Sequence, residues 1–167
     1  MSLLQNMRVI EMPKFRAVSS GPQTLEELFG PQSRFSAWVD GHRQLLKTHI
    51  FEPSDFLWHE NRNVDTSVWA VAVRDEVAPA DTEPYEIIEF PGGMFLVATC
   101  DESNRADMEE TVGCMRTWIR NSGAFTYGGF PESGMCNMPN PDGRIDKALG
   151  ISQQQIFLPL RFVTENT

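Results

Sequence analysis

The hydrophobic pattern of residues 85–99, YEIIEFPGGMFLVAT, contains two runs of strand-forming residues separated by Pro91, Gly92 and Gly93. Two such runs joined by turn residues predict a β-hairpin. The segment RVIEMPKFRAVS at positions 8–19 repeats this pattern, since positions 9–13 match 87–91 before the turn and 15–18 match 95–98 after it. We therefore predict an internal duplication in which each half of the chain opens with the same hairpin.

One main helix is predicted in each half, from apolar residues at helical spacing. The first helix covers about residues 32–47, and the second covers about residues 107–121. For the second helix we predict Asp107 as the N-cap, because an acidic residue follows it three positions later. A tryptophan recurs in the two helices, at Trp38 and Trp118, in the same alignment as the matched positions after the turn.

Alternation of apolar and polar residues predicts two further strands in each half. They cover residues 54–60 and 67–74 in the first half, and residues 144–147 and 155–162 in the second. Each half is therefore predicted to contain a hairpin, a helix and two further strands. We predict an α+β fold in which the duplicated units form one mostly antiparallel sheet, with two main helices and a central groove.

The repeat also predicts the domain organisation. We expect residues 1–6 to be an N-terminal tail and residues 7–167 to be a single domain made of two pseudo-repeats, at about 7–76 and 85–163. The segment EVAPADTEP between the repeats has the composition of a linker. Residues 122–143 are rich in Gly, Pro and Asn and predict a long loop. Compact domains seldom carry such a loop without reason, so this one is a candidate for the rim or lid of a site.

Composition and charge exclude several classes of protein. The 167 residues are 41% hydrophobic, which is enough to form a sizeable core. The net charge of −9 argues against a nucleic-acid surface, which needs clustered Lys and Arg. Solubility accounts for this charge, and an acidic surface that attracts cationic ligands is the alternative. The three cysteines show no C-x-x-C spacing, and no apolar run approaches about 18 residues, so we expect a cytoplasmic protein without a membrane segment.

Motifs for metals and common cofactors are missing from the sequence. It contains no G-x-S-x-G motif, no P-loop and no dinucleotide-binding fingerprint. His42 and His49 lie seven residues apart, so they do not form the i, i+4 pair that binds zinc on a helix. We therefore predict neither a metal nor a cofactor.

Aromatic residues paired with acids on strands are the candidate chemistry. Trp58 and Glu60 share one strand face, and Trp69 stands on the next strand. When the last strands of the two halves are aligned, Phe157 is the repeat counterpart of Trp69, and Asp146 is that of Trp58. Such strands would enclose a groove with aromatic walls and an off-centre carboxylate, which suits a flat, lipophilic and often cationic molecule. The alternative is a solid core with the acids exposed at the strand ends.

Three pieces of the sequence carry a resemblance to a known family. They are EFPGGMFLVAT in the second hairpin, the tryptophan of each main helix, and QIFLPLR near the end. Their order resembles that in the GyrI-like small-molecule-binding family, which is also found as the effector domain of bacterial multidrug-responsive transcription regulators. The resemblance covers about residues 8–162. It implies a bacterial protein built from duplicated β-α-β-β units, with a central ligand groove and a buried acid that meets cationic or electrophilic aromatic ligands.

By position, the resemblance carries that acid onto Asp146, in the strand predicted before the last. Gln155 stands where the family commonly has an acid, and Phe157 replaces its usual tyrosine. The long loop adds Tyr127. The complete candidate set for ligand binding is Trp58, Glu60, Trp69, Tyr127, Asp146, Gln155 and Phe157.

Three functions are compatible with these features. The first is a stand-alone domain that senses or sequesters a small aromatic or amphipathic, in some cases cationic, compound. The family resemblance also implies the second, a hydrolase of electrophilic small-molecule toxins in which Asp146 is the general base. The third is a protein-binding inhibitor of a DNA-remodelling enzyme, for which the acidic surface is the only indication. We expect a small-molecule partner and no direct nucleic-acid contact, because the sequence before residue 8 has no room for a DNA-binding domain.

Overall fold

The computed structural model describes residues 6–48, 54–60, 65–140 and 142–164. These residues form nine β-strands and four α-helices. The chain divides into two compact units. Unit 1 contains Met1–Pro13 and Gly92–Thr167, and unit 2 contains Lys14–Pro91. Among the helices of the described residues, none has the length and apolar character needed to cross a membrane.

Unit 2 contains an antiparallel array of four strands in the order β3–β4–β2–β5. Its α2 helix packs on one face of these strands, where Phe35 and Trp38 lie against Val18 and Val71. Short 3-10 turns cover Arg43–Leu45 and Pro79–Thr82. The elements of unit 2 are β2 (Phe15–Ser19), α1 (Leu25–Phe29), α2 (Arg34–Gly41), β3 (Asp55–His59), β4 (Ser67–Ala72) and β5 (Glu86–Phe90).

Unit 1 contains the antiparallel order β1–β6–β9–β8, and β7 also pairs with β9. Its long helix α3 packs on one face, where Met115 and Ile119 lie against Leu96 and Leu158. The elements of unit 1 are β1 (Arg8–Met12), β6 (Gly93–Asp101), α3 (Arg105–Asn121), β7 (Phe125–Tyr127), β8 (Met135–Asn137), α4 (Gly143–Leu149) and β9 (Gln153–Phe162).

The two units repeat one arrangement, in which a long helix covers one face of antiparallel strands. The α+β class, the antiparallel pairing and the duplicated plan predicted from the sequence are confirmed. The predicted central groove concerns both units together and stays a prediction.

The two predicted hairpins do not form. Strand β1 pairs with β6 and not with β2, while β2 pairs with β5. A two-residue hairpin loop needs a positive φ at its first residue, and proline cannot adopt one. Pro13 occupies that loop position between β1 and β2, and Pro91 occupies it between β5 and β6. The repeated strands are real, but they exchange partners between the two halves of the sequence.

Several predicted boundaries are wrong as well. The first main helix ends as an α-helix at Gly41, six residues earlier than predicted, and a 3-10 turn follows. The N-cap of α3 is Asn104, whose side chain accepts a hydrogen bond from the Asp107 amide. The long loop of residues 122–143 contains two short strands, β7 and β8.

The strand predicted at residues 144–147 is instead the helix α4. Asp142 caps its start by accepting from the Arg144 amide. Gly150 ends it in the left-handed conformation, with φ at +71°, and donates its N–H to the Asp146 carbonyl. An acidic N-cap and a C-terminal glycine are strong helix signals, and here they outweigh the short alternating pattern.

Candidate functional site

The candidate residues are best described by sheet face. Helix α2 in unit 2 and helix α3 in unit 1 each pack on one face of the strands, and we call the opposite face of each unit its distal face. Alternate strand residues point to opposite faces, so the strand register assigns every side chain to one of them. Directly paired residues on neighbouring strands share a face.

The distal face of unit 2 carries a cluster of four aromatic rings. The Phe15 and Phe90 rings stack with centroids 4.7 Å apart, and Phe56 lies 5.8 Å from Phe15. The Trp58 ring centroid lies 6.4 Å from that of Phe90. Phe56, Trp58 and Phe90 are buried although α2 packs on the other face. We call these four residues the aromatic cluster; its rings pack in the stacked and tilted arrangements that aromatic side chains prefer.

The distal face of unit 1 carries a chain of polar side chains among apolar ones. Arg8 Nη2 donates to Gln155 Oε1 at 2.7 Å, and Gln155 Nε2 donates to Asn137 Oδ1 at 3.3 Å. Gln155 is 3% exposed and Asn137 is 5% exposed, so both amides lie in the interior. Phe157 and Met135 are the next pair along the same two strands and the same face. We call Arg8, Gln155 and Asn137 the polar chain.

One atom of the polar chain lacks a hydrogen bond. Asn137 Nδ2 is buried and has no partner among the described residues. Buried amide groups in proteins are almost always hydrogen-bonded, because losing water without a replacement is unfavourable. The unsatisfied N–H donor of Asn137, beside Phe157, is therefore unusual for a protein interior.

Three of the predicted residues lie on distal faces. Gln155 and Phe157 come together on the distal face of unit 1, and Trp58 lies in the aromatic cluster of unit 2. A fourth, Glu60, directly follows β3 and is half-buried. Contact of these four residues with a ligand stays a prediction.

Trp69 does not share a face with Trp58. It pairs with Leu57, one residue before Trp58, so its side chain points to the opposite side of the strands. There its ring lies 5.3 Å from that of Phe35 in α2, and its Nε1 donates to Asp55 Oδ2 at 2.9 Å. The prediction of a groove wall formed by Trp58 and Trp69 is therefore wrong.

The repeat pairing of Trp69 with Phe157 is also wrong, by one residue. Ile156 and Leu158 of β9 pack against α3 in unit 1, as Trp69 packs against α2 in unit 2. Phe157 lies between them in sequence and points to the distal face, where its ring lies 6.3 Å from that of Phe95. A shift of one residue reverses every side chain of a strand, so the alignment of the last strands placed Phe157 on the wrong side.

Tyr127 lies away from the polar chain. It pairs with Leu160, which packs on the α3 side of unit 1. Its hydroxyl donates to the Glu132 carbonyl, and burial raises the pKa of this phenol above its usual value. These contacts hold the turn between β7 and β8, so the sequence prediction of a ligand contact gains no support from them.

Asp146 lies in α4 and not in a strand, so its pairing with Trp58 as a repeat counterpart is wrong. Its Oδ1 atom is nevertheless buried, and within the part of the chain that the structure describes it has no hydrogen-bond partner. The structure thus keeps an unusual carboxylate at this position, but on a different element from the one predicted.

An open hollow of about 360 Å³ lies elsewhere, at the start of β5 in unit 2. Its lining residues are Pro79, Ala80, Glu83, Pro84, Tyr85, Glu86 and Ile87. None of the predicted residues is among them. The buried polar atoms that lack a partner in the described parts of the chain do not belong to this lining, so the hollow has no unsatisfied group like the one in the polar chain.

Sequence reasoning missed Arg8 and Asn137. Arg8 is 147 residues from Gln155 in the chain, and β8 is a three-residue strand inside a segment with the composition of a loop. Neither residue belongs to a motif. Only the strand register brings them together.

Known proteins resemble this chain in structure and not in sequence. No protein-family model matches the sequence, and no curated protein matches it. Solved structures match along nearly the whole chain. SAV2435 bound to tetraphenylphosphonium matches with a TM-score of 0.58 at 12% identity, covering 93% of this chain and 94% of that chain. The C-terminal domain of EcmrR matches with a TM-score of 0.64 at 12% identity, covering 96% and 99%.

The fold is GyrI-like. A hydrolase from Listeria innocua has the same fold, with a TM-score of 0.64 at 12% identity and coverage of 94% and 92%. Because these identities are low, the comparisons establish a shared GyrI-like fold and no activity. They confirm the resemblance inferred from the sequence at the level of fold.

Proposed function

We propose that this protein binds a small aromatic or amphipathic molecule, as a sensing or sequestering domain. The polar chain is the observation that carries the proposal. Small-molecule sites are mostly apolar and contain a few placed polar groups. The distal face of unit 1 has this composition, with Phe157 and Met135 beside Gln155 and an unsatisfied Asn137 donor.

Two structural neighbours support the same proposal. SAV2435 has been observed with tetraphenylphosphonium, an aromatic lipophilic cation, and the EcmrR domain belongs to a protein that is also seen in a complex with DNA. This chain has a net charge of −9, which argues against direct DNA contact. The three cysteines are thiols and not disulfides, which supports a cytoplasmic location.

A thermal-shift series with planar dyes and tetraphenylphosphonium tests binding. A ligand that binds only the folded protein raises the melting temperature in proportion to the logarithm of its concentration. We expect at least one aromatic probe to do so at concentrations below 1 mM, taken as about the weakest affinity of interest. If no probe shifts the melting temperature, the proposed function is wrong.

Tryptophan fluorescence tests whether the aromatic cluster takes part. The chain has four tryptophans, and Trp58 belongs to the cluster. A probe that binds at the aromatic cluster should quench Trp58, so Trp58→Phe should remove most of the quenching. Trp118→Phe is the matched control, because Trp118 packs on the α3 face of unit 1. Quenching that disappears only in the control would exclude Trp58 from the site.

A hydrolase is the second candidate, and a specific observation favours it. The Oδ1 atom of Asp146 is buried without a hydrogen-bond partner among the described residues, so it is placed to accept a hydrogen bond from a water molecule that it would activate as a general base. A neighbour of the same fold is described as a hydrolase. Asp146→Asn preserves the shape of the side chain and should abolish turnover of an electrophilic aromatic substrate without weakening its binding. Unchanged turnover would exclude Asp146 as the base.

A further inference from the structure

The orientation of each amide in the polar chain follows from Arg8. An arginine guanidinium has only donors, so the Gln155 atom that it contacts at 2.7 Å must be the acceptor Oε1. The other terminal atom of Gln155 is then the donor Nε2. It lies 3.3 Å from Asn137, so the Asn137 atom facing it must be the acceptor Oδ1. Nitrogen and oxygen of an amide are assigned from such hydrogen-bond networks.

The consequence is that the unsatisfied atom of Asn137 is a donor. Nδ2 is the only terminal atom left, and it is buried without a partner among the described residues. Asn137 is 5% exposed, so bulk water does not satisfy this N–H. The neighbouring pair on the same strands, Phe157 and Met135, consists of apolar side chains. A group that enters next to them is favoured if it accepts a hydrogen bond.

We propose that the ligand carries a hydrogen-bond acceptor, a carboxylate or a carbonyl, on its aromatic body, and that Asn137 selects for it. This inference rests on the proposed function and refines the chemical class of its ligand. An ammonium group has donors only, so it would meet the Asn137 N–H donor to donor. Gln155 and Arg8 are positioning residues, since they fix which end of the Asn137 amide is presented.

Substitution of a positioning residue, Gln155→Glu, should invert the selection. The introduced carboxylate still accepts from Arg8, but it no longer offers a donor to Asn137. The Asn137 amide then gains by turning end for end about its Cβ–Cγ bond, because its Nδ2 can donate to the carboxylate. That rotation would present Oδ1 in place of Nδ2. The preference should therefore change from acceptor to donor ligands, although Asn137 itself is unchanged.

Three probes with one aromatic body test the inference: 9-anthracenecarboxylate, 9-anthracenemethanol and 9-(aminomethyl)anthracene, measured by fluorescence titration at pH 7. A hydrogen bond between a buried donor and a charged acceptor predicts that the wild type binds the carboxylate at least about tenfold more tightly than the ammonium. Gln155→Glu should reverse this order. Asn137→Leu removes the donor and should bring the carboxylate-to-ammonium affinity ratio close to one. Asn121→Asp, an exposed change at the end of α3, is the control for net charge and should behave like the wild type.

A second measurement does not depend on the variants. In the wild type, the side-chain amide resonances of Asn137 should shift in the NMR spectrum when the carboxylate binds and stay in place with the ammonium. Equal affinities for all three probes would overturn the inference and leave the proposed function standing. Side-chain amide resonances of Asn137 that stay in place when the carboxylate binds would also overturn the inference, because Nδ2 would then donate only to a trapped water molecule. If no probe binds, the proposed function fails and the inference fails with it.

Discussion

The variant Trp69→Phe tests whether Trp69 stabilises the fold by packing or contacts the ligand. Trp69 lies between Phe29 and Phe35, with ring centroids 5.0 and 5.3 Å away, and donates to Asp55. Loss of a hydrogen bond to a carboxylate costs about 1.5–3 kcal/mol, towards the lower end here because both residues are half-buried. Replacing the indole by a smaller ring adds about 1–2 kcal/mol of lost packing. We expect the free energy of unfolding to fall by about 3 kcal/mol.

Urea denaturation followed by far-ultraviolet circular dichroism measures this change, and the slope of the transition should stay constant. Trp118→Phe is the matched control. Trp118 is also half-buried against an aromatic ring, Phe125 at 6.0 Å, so its replacement should cost the packing contribution alone, about 1 kcal/mol.

The same variant addresses function. Because Trp69 lies on the α2 side of unit 2, Trp69→Phe should leave ligand affinity unchanged after correction for the unfolded fraction. A loss of stability below about 0.5 kcal/mol, combined with a large loss of affinity, would refute our assignment. Trp69 would then be the ligand residue that the sequence pattern suggested.

Three further predictions concern backbone, acid and thiol chemistry. Gly134→Ala should destabilise the fold by at least about 1 kcal/mol in urea denaturation, because the φ of Gly134 is +76° and an added Cβ would lie 2.9 Å from a backbone oxygen. In the control Gly113→Ala, the added Cβ in α3 meets no atom within 4 Å, so this change should stabilise the fold by about 1 kcal/mol. Hydrogen bonds from Ser103 lower the pKa of Asp101. The ionised carboxylate therefore stabilises the fold above the ordinary carboxyl pKa, and this stabilisation is lost as the pH falls through the lowered pKa. Asp101→Asn should make the free energy of unfolding depend less on pH in the acid range. Burial raises the pKa of Cys100 to about 12, so iodoacetamide at pH 8 should label exposed Cys114 and leave Cys100 unlabelled in the mass spectrum of the folded protein.

The sequence was sufficient for the longer elements and the duplication, because both depend on local pattern. Alternating apolar residues predicted β4 and β9, and helical spacing with an acidic first turn predicted α3. The pairing of strands was not predictable in the same way, because the loop between β5 and β6 contains both a residue that favours a hairpin and a residue that prevents one. Gly92 favoured a turn, while Pro91 before it excluded the backbone conformation that a tight hairpin needs.

The candidate site was predicted in part, for a different physical reason. Phe157 was named as the repeat counterpart of Trp69, and Gln155 was named because the family resemblance places an acid at that position. The acid was placed wrongly because an alignment based on one pair of strands was extended to a segment that forms α4. An alignment error of one residue is harmless in a loop, but in a strand it exchanges the two faces. Trp69 was misplaced for a related reason, since it pairs with Leu57 and therefore lies on the opposite face from Trp58.

The exchange of strands decides the chemistry of the polar chain. Had β1 formed the predicted hairpin with β2, Arg8 would have followed β2 into the strands of unit 2. Instead, Arg8 of β1 pairs with Val97 of β6, and Val97 pairs in turn with Phe157 of β9. From this position the Arg8 guanidinium reaches Gln155, which also lies in β9. Without Arg8, either orientation of the Gln155 amide satisfies Asn137, and the donor character of the site is lost. The first strand of the chain therefore sets the polarity of a residue in β8, far along the sequence, which no local pattern reveals.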